Sequence, residues 1–127
     1  MTTLRTTVII LMALVCAGCN RNDSRMLPRQ LEGTWTTDDP RYQDRFMDLS
    51  QAFVIIGTSR YDAPSVQLID KVEVEARGSD TVLTVYSTDH SQSAHYQMAI
   101  QFSPANGGEI RFKNQTQVWR RREDTTN

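Results

Sequence analysis

Several stretches of the chain hold residue types that acid–base, metal or phosphate chemistry requires. Asp89-His90-Ser91 contains the members of a nucleophilic relay. A relay needs them convergent, and neighbouring side chains on a strand point to opposite faces. The flanking Ser87-Thr88 and Ser91-Gln92-Ser93 mark a polar loop, so His90 reads as a solvated loop residue. His90 and His95, five positions apart with Asp89 nearby, fall short of a convergent metal site. Asp38, Asp39 and Asp44 cluster around Pro40, but the spacing and glycine of a calcium loop are missing. Arg41 and Arg45 stand among these carboxylates as ion-pair partners. Gly57-Thr58-Ser59 and Gly107-Gly108 open no helix, so they read as turns and not phosphate loops. Arg120-Arg121-Arg122 is a basic run that could meet lipid phosphates or an acidic partner, partly cancelled by Glu123-Asp124. No catalytic residue, metal ligand or cofactor is expected, and the chain reads as a non-enzyme.

Composition narrows the classes further. The 127 residues carry 14 Lys and Arg against 15 Asp and Glu, a formal charge of −1. A near-neutral chain has no general attraction for nucleic acid, and none is expected as a partner. With 39% hydrophobic residues it can bury a core. The N-terminus has its own character. Arg5 precedes an apolar run over residues 8–16, followed by small residues. A membrane-spanning helix needs about 20 apolar residues. This shorter run has the layout of an export signal, to be set aside from the fold.

The end of that run, Cys16-Ala17-Gly18-Cys19, resembles the lipobox of bacterial lipoproteins. Ala17 and Gly18 match the small positions and Cys19 the lipidated one. The position three before the cysteine, usually Leu, is Cys16, with Leu14-Val15 just upstream. The resemblance implies a signal peptide over 1–18, diacylglycerol and palmitate-type acylation on Cys19, and membrane attachment. Asn20, which is not Asp, implies the outer membrane, with the domain facing the periplasm. Removing residues 1–18 from 127 leaves 109, enough for one small domain. Cys16 leaves with the signal and Cys19 is acylated. The mature domain then has no disulfide and depends on its apolar core.

Residues 19–30 contain Asn20-Arg21-Asn22-Asp23-Ser24 and Pro28, show no periodicity, and read as a flexible tether. The eleven residues from Asn20 to Gln30, extended, reach at most ~35–40 Å. From 31 to 121 the chain reads as strands and turns, with a polar tail over 122–127. Strands are expected at 33–37, 45–49, 52–57, 66–76, 81–87, 94–102, 109–113 and 117–121. Segment 94–102 alternates most cleanly, with Ala94, Tyr96, Met98, Ile100 and Phe102 on one face. Two places are open. Asp39-Pro40 with Tyr42, Phe46, Leu49 and Phe53 fits either a helix or a loop followed by a hairpin, and the hairpin is favoured. Asp70 shares the phase of Val66, Leu68, Val72 and Val74. It marks either a β-bulge, the favoured reading, or a buried paired carboxylate.

Eight short antiparallel strands predict an all-β fold, a small up-and-down β-barrel, with a two-sheet sandwich as the alternative. Gly33-Thr34-Trp35 resembles the G-x-W motif of lipocalins. In that superfamily the Trp plugs the closed end of the barrel and an Arg of the last strand packs across the indole. The resemblance implies a lipocalin-like barrel with Gly33 and Trp35 at its closed end and Arg120, or its neighbour Arg121, on the indole. The inward candidates are Trp35, Phe46, Phe53, Ile55, Leu68, Val72, Val74, Val82, Tyr86, Tyr96, Met98, Ile100, Phe102, Ile110 and Phe112. Their bulk favours a filled interior over a ligand cavity.

Two functions follow as expectations. The first is a lipid-anchored binding or interaction module that docks an envelope protein through loops 38–44, 58–64 and 88–93. The second is a lipocalin-like carrier of a small apolar ligand. The volume enclosed between the strands separates them.

Overall fold

The computed structural model describes residues 21–59 and 61–123. Cys19 and the export segment lie outside them. The described chain is all-β, with three single-turn 3-10 segments. Eight strands follow one another round a ring: β2 (Gly33–Thr37), β3 (Phe46–Leu49), β4 (Phe53–Gly57), β5 (Ser65–Arg77), β6 (Asp80–Asp89), β7 (Ala94–Ser103), β8 (Glu109–Phe112) and β9 (Trp119–Arg121). Each pairs antiparallel with its sequence neighbour, and β9 returns to β2 through Trp35↔Arg121 and Thr37↔Trp119. The result is a closed up-and-down barrel, not a sandwich. Closure leaves the ring without an open edge.

The helix-compatible stretch resolves into a loop and a hairpin. Asp39 caps a 3-10 turn, Pro40–Tyr42, by accepting from the Arg41 N–H. The β-prone Phe53-Val54-Ile55-Ile56 then pairs back on β3.

A ninth strand, β1 (Arg21–Ser24), corrects the tether reading. It pairs with β5 in the register Arg21↔Glu75 to Ser24↔Val72. β5 is 13 residues long. One of its edges is shared by β4, over Ser65 to Leu68, and β1, over Val72 to Glu75; β6 takes the other. After Ser24 the chain passes under the barrel. The Leu27 N–H donates to the Gln51 carbonyl at 2.9 Å, and Leu27 and Leu31 are buried. The polar residues of β1 hid the strand, because it is added outside the barrel and buries no apolar stripe. Leu27 and Leu31 were the core signals in that segment.

The core is the closed half of the barrel. Trp35, Leu83, Val85, Ile100, Phe102 and Ile110 interdigitate with Leu27 and Leu31. The β5 register shifts between Ile69 and Lys71, which places a bulge at Asp70. The exposed Asp70 is rephased away from the core and accepts a hydrogen bond from Thr88 Oγ1 at 2.6 Å. The bulge also corrects the inward list. Before it Gln67 is buried and Leu68 is 40% exposed; after it Val72 is buried. On β4 Val54 is buried and Phe53 is 41% exposed, and on β3 Met47 and Leu49 are buried while Phe46 is half-buried. On β6 Leu83 and Val85 replace Val82 and Tyr86 as buried residues, and Tyr96 of β7 is exposed.

Candidate ligand-binding site

The two ends of the barrel differ. At the closed end, Trp35 stands T-shaped against Phe102, ring centroids 6.2 Å apart, and its Nε1 donates to the Leu31 carbonyl at 2.9 Å. Gly33 and Trp35 stand together at this end of the barrel. The arginine over the indole is Arg121, 4.7 Å from the ring, and not Arg120. The register Trp35↔Arg121 puts those two side chains on one face, and Arg120 on the other. Arg120 reaches Glu109 at 3.5 Å and Asp38 at 3.8 Å instead. Arg121 donates from Nε to the Glu32 carbonyl, from Nη1 to that of Gly107, and from Nη2 to that of Gln30. Gly108, at φ +106°, lies against this plug: a Cβ there would stand 3.2 Å from the Trp35 ring. The backbone turn needs glycine and the packing leaves no room for more.

The opposite end is open. A cavity of about 500 Å³ enters the barrel there. Its apolar wall is Met47, Ile56, Met98, Phe112 and Trp119. The Trp119 ring anchors this wall, T-shaped to Phe112 at 6.1 Å and tilted to Tyr42 at 6.4 Å. Tyr42, Arg45, Thr58, Gln97, Lys113 and Gln115 supply polar groups around it. The lining thus holds two cations and no carboxylate. Arg45 is poised over the Tyr42 ring at 4.6 Å. Trp119 is 7% exposed, and its indole Nε1 finds no acceptor among the described residues. Phe46 borders the site, its ring lying over Gly57 so closely that a Cβ would meet it at 2.1 Å. Volume and lining match small-molecule pockets, which run about 300–1,000 Å³ and are apolar with a few placed polar groups.

The sequence-level candidates for chemistry do not converge. Ser91 Oγ donates to Asp89 Oδ1 at 2.6 Å, while His90 is exposed. Asp89, 2% exposed, ends a buried chain: Ser87 Oγ donates to Gln67 Oε1, Gln67 Nε2 to Ser65 Oγ, and Ser65 Oγ to Asp89 Oδ2. The Ser91 hydroxyl foremost, with Ser65 and backbone N–H groups, holds the Asp89 carboxyl below its usual range. His95 meets Thr88 instead, Nδ1 to Oγ1 at 3.0 Å. With the hydroxyl proton directed to Asp70, that contact leaves Nδ1 as donor, so the imidazole does not stand as a base towards the Thr88 oxygen. Asp39 binds Arg41 in a two-pronged pair and Asp38 points to Arg120. Among the described residues no three His, Cys, Asp or Glu side chains gather as a metal site. Arg120, Arg121 and Arg122 do not act as one basic face, since Arg121 is committed to the plug.

Of the three expected docking loops, 38–44 and 58–64 border the cavity through Tyr42 and Thr58. Met47, Gln97 and Lys113 were not singled out from sequence; the Phe112 and Trp119 aromatics flanking a polar turn were the available signal. Comparison with known proteins yields no match, whether to a protein-family model, a curated protein or a solved structure.

Proposed function

We propose that this chain is a lipoprotein of the bacterial cell envelope, acylated at Cys19 and facing the periplasm from the outer membrane, whose barrel binds a small amphiphile without chemistry of its own. The observation that carries the reading is the cavity of about 500 Å³ with an apolar wall and a rim of Arg45 and Lys113. An apolar body fits the wall formed by Met47, Ile56 and Met98, and the two cations favour a carboxylate or phosphate head. The test uses purified protein and two fluorescent probes of one chain length, cis-parinarate and the corresponding neutral alcohol. Saturable binding with preference for the anion supports the reading. Binding of neither overturns it.

An exposed apolar wall favours a second reading, a docking module. Phe53 pairs with Leu68 and Ile55 with Val66 on the outside of β4 and β5, and Val66 is 46% exposed. Such a patch fits an envelope protein partner. Crosslinking from Val66 in the native host tests it.

A further inference from the structure

We propose that the anchor seats the barrel upright, its closed end and the β5–β6 turn against the membrane and its cavity mouth pointing away. This rests on the reading of Cys19 as the acylated residue.

The argument begins with β1. It runs antiparallel to β5, Ser24 beside Val72 and Arg21 beside Glu75. From Ser24 back to Arg21 the strand runs towards the turn at 77–80 that joins β5 to β6. One residue, Asn20, stands between Cys19 and Arg21. Two residue steps span at most ~7 Å. The turn begins two residues beyond Glu75, again a rise of ~7 Å. Covalent reach therefore ties the acylated residue to within ~7 Å of the Arg21 end of β1, the end nearer that turn. The slack of a long tether is absent, because Ser24 to Leu31 is built into the floor of the barrel. Leu27 and Leu31 are buried there, and Arg121 holds the carbonyls of Gln30 and Glu32.

The mouth lies at the other end of the same strand. Ser65 pairs with Ile56, whose side chain lines the cavity. Ser65 is ten residues before Glu75, ~33 Å along an extended strand. An acyl chain buried at Cys19 thus holds the turn at the headgroups and, with barrel strands tilted about 35–45° to the axis, the mouth roughly 25 Å above them. Arg77 borders the turn, where it pairs with Glu75 at 3.8 Å. A functional consequence follows. The ligand does not slide in from the leaflet that anchors the protein. It arrives from solution, or from a membrane or protein on the far side.

The test uses the full acylated protein in phosphatidylethanolamine–phosphatidylglycerol vesicles. No thiol other than Cys19 remains in the mature chain, so Ser79→Cys and Tyr61→Cys each take one fluorophore. Tyr61 lies in the loop at the mouth end and is 89% exposed. Headgroup-spin-labelled lipid should quench the probe at 79 several-fold more than the probe at 61. Ten Gly/Ser residues inserted between Asn20 and Arg21 should erase that difference. Intact mass of the same preparation reads acylation separately. Equal quenching on acylated protein, or stronger quenching at 61, overturns the orientation alone. Unacylated Cys19 overturns the anchor reading, and the orientation with it.

Discussion

The Arg121 guanidinium lies 4.7 Å from the Trp35 ring and donates to carbonyls of two loops that close the barrel beneath it. One side chain thus ties β9 to the floor and to the turn at 105–108. A cation–π contact contributes about 0.5–2 kcal/mol, and each hydrogen bond adds about 1 kcal/mol net. These contacts are solvent-exposed and share one side chain, so they do not add in full, and Arg121→Ala should destabilise the domain by about 2–3 kcal/mol in urea unfolding. Arg121→Lys should not restore it, because an ammonium lacks the planar fork. Arg120→Ala, which removes long surface ion pairs, should cost no more than about 1 kcal/mol.

A second prediction concerns Phe46 and Gly57, paired across β3 and β4. A Cβ at Gly57 would overlap the Phe46 ring, so Gly57→Ala must displace it. The expected cost is about 1–3 kcal/mol. In a Phe46→Ala background the same change should cost at least ~0.5 kcal/mol less, a coupling readable in a double-mutant cycle. Additive costs would mean the ring does not hold this position.

These relationships show what the sequence made legible. Turn residues and β-rich runs marked the eight strands of the ring in order, but not β1, whose polar residues gave no alternation. Strand phase was harder. In β7 polar residues alternate with apolar ones, and Met98, Ile100 and Phe102 were read correctly. In Phe53-Val54-Ile55-Ile56 and Val82-Leu83 both faces are apolar, so neither phase stands out. The bulge at Asp70 was visible as a carboxylate out of pattern, but not which side of it would be turned over. Arg120 and Arg121 are identical in type, and only the β2–β9 register tells them apart. The bulk of the inward candidates favoured a filled interior, and the cavity of about 500 Å³ corrects that expectation, because the filling depends on how far Trp35, Leu27 and Leu31 occupy one half of the barrel only.

The acid limb of stability provides a third prediction. Asp89 is held below its usual range by Ser91 and Ser65, and Glu109 by Asn106 first and then Arg120 and Arg111. A carboxylate lowered in the folded state contributes stability that is fully present above its unfolded pKa, about 4. That contribution disappears as pH falls through the lower folded value. Urea midpoints should thus be flat from pH 7 to about 5 and decline below about 4. Asp89→Asn should lower the neutral-pH midpoint and make the acid decline shallower. A decline of unchanged steepness would show that Asp89 is not among the groups responsible.

The cavity itself can be tested by filling it. Met98 lines it and is only partly buried, on a strand whose next inward residues, Ile100 and Phe102, belong to the core. In a packed interior a larger side chain forces strain of about 1–3 kcal/mol. Here the added ring of Met98→Trp enters open space beside Met47 and Phe112. Stability should stay within about 1 kcal/mol of the parent while cis-parinarate binding falls at least tenfold. Lys113→Glu tests the rim separately: it leaves the volume unchanged and places a carboxylate where the anion's head is expected. It should weaken the anionic probe and leave the neutral alcohol nearly unaffected. Loss of both probes together with loss of fold would assign Met98 to the core rather than to the site. Retained binding in both variants would place the ligand elsewhere, and the exposed wall of Phe53, Ile55, Val66 and Leu68 would become the surface to probe.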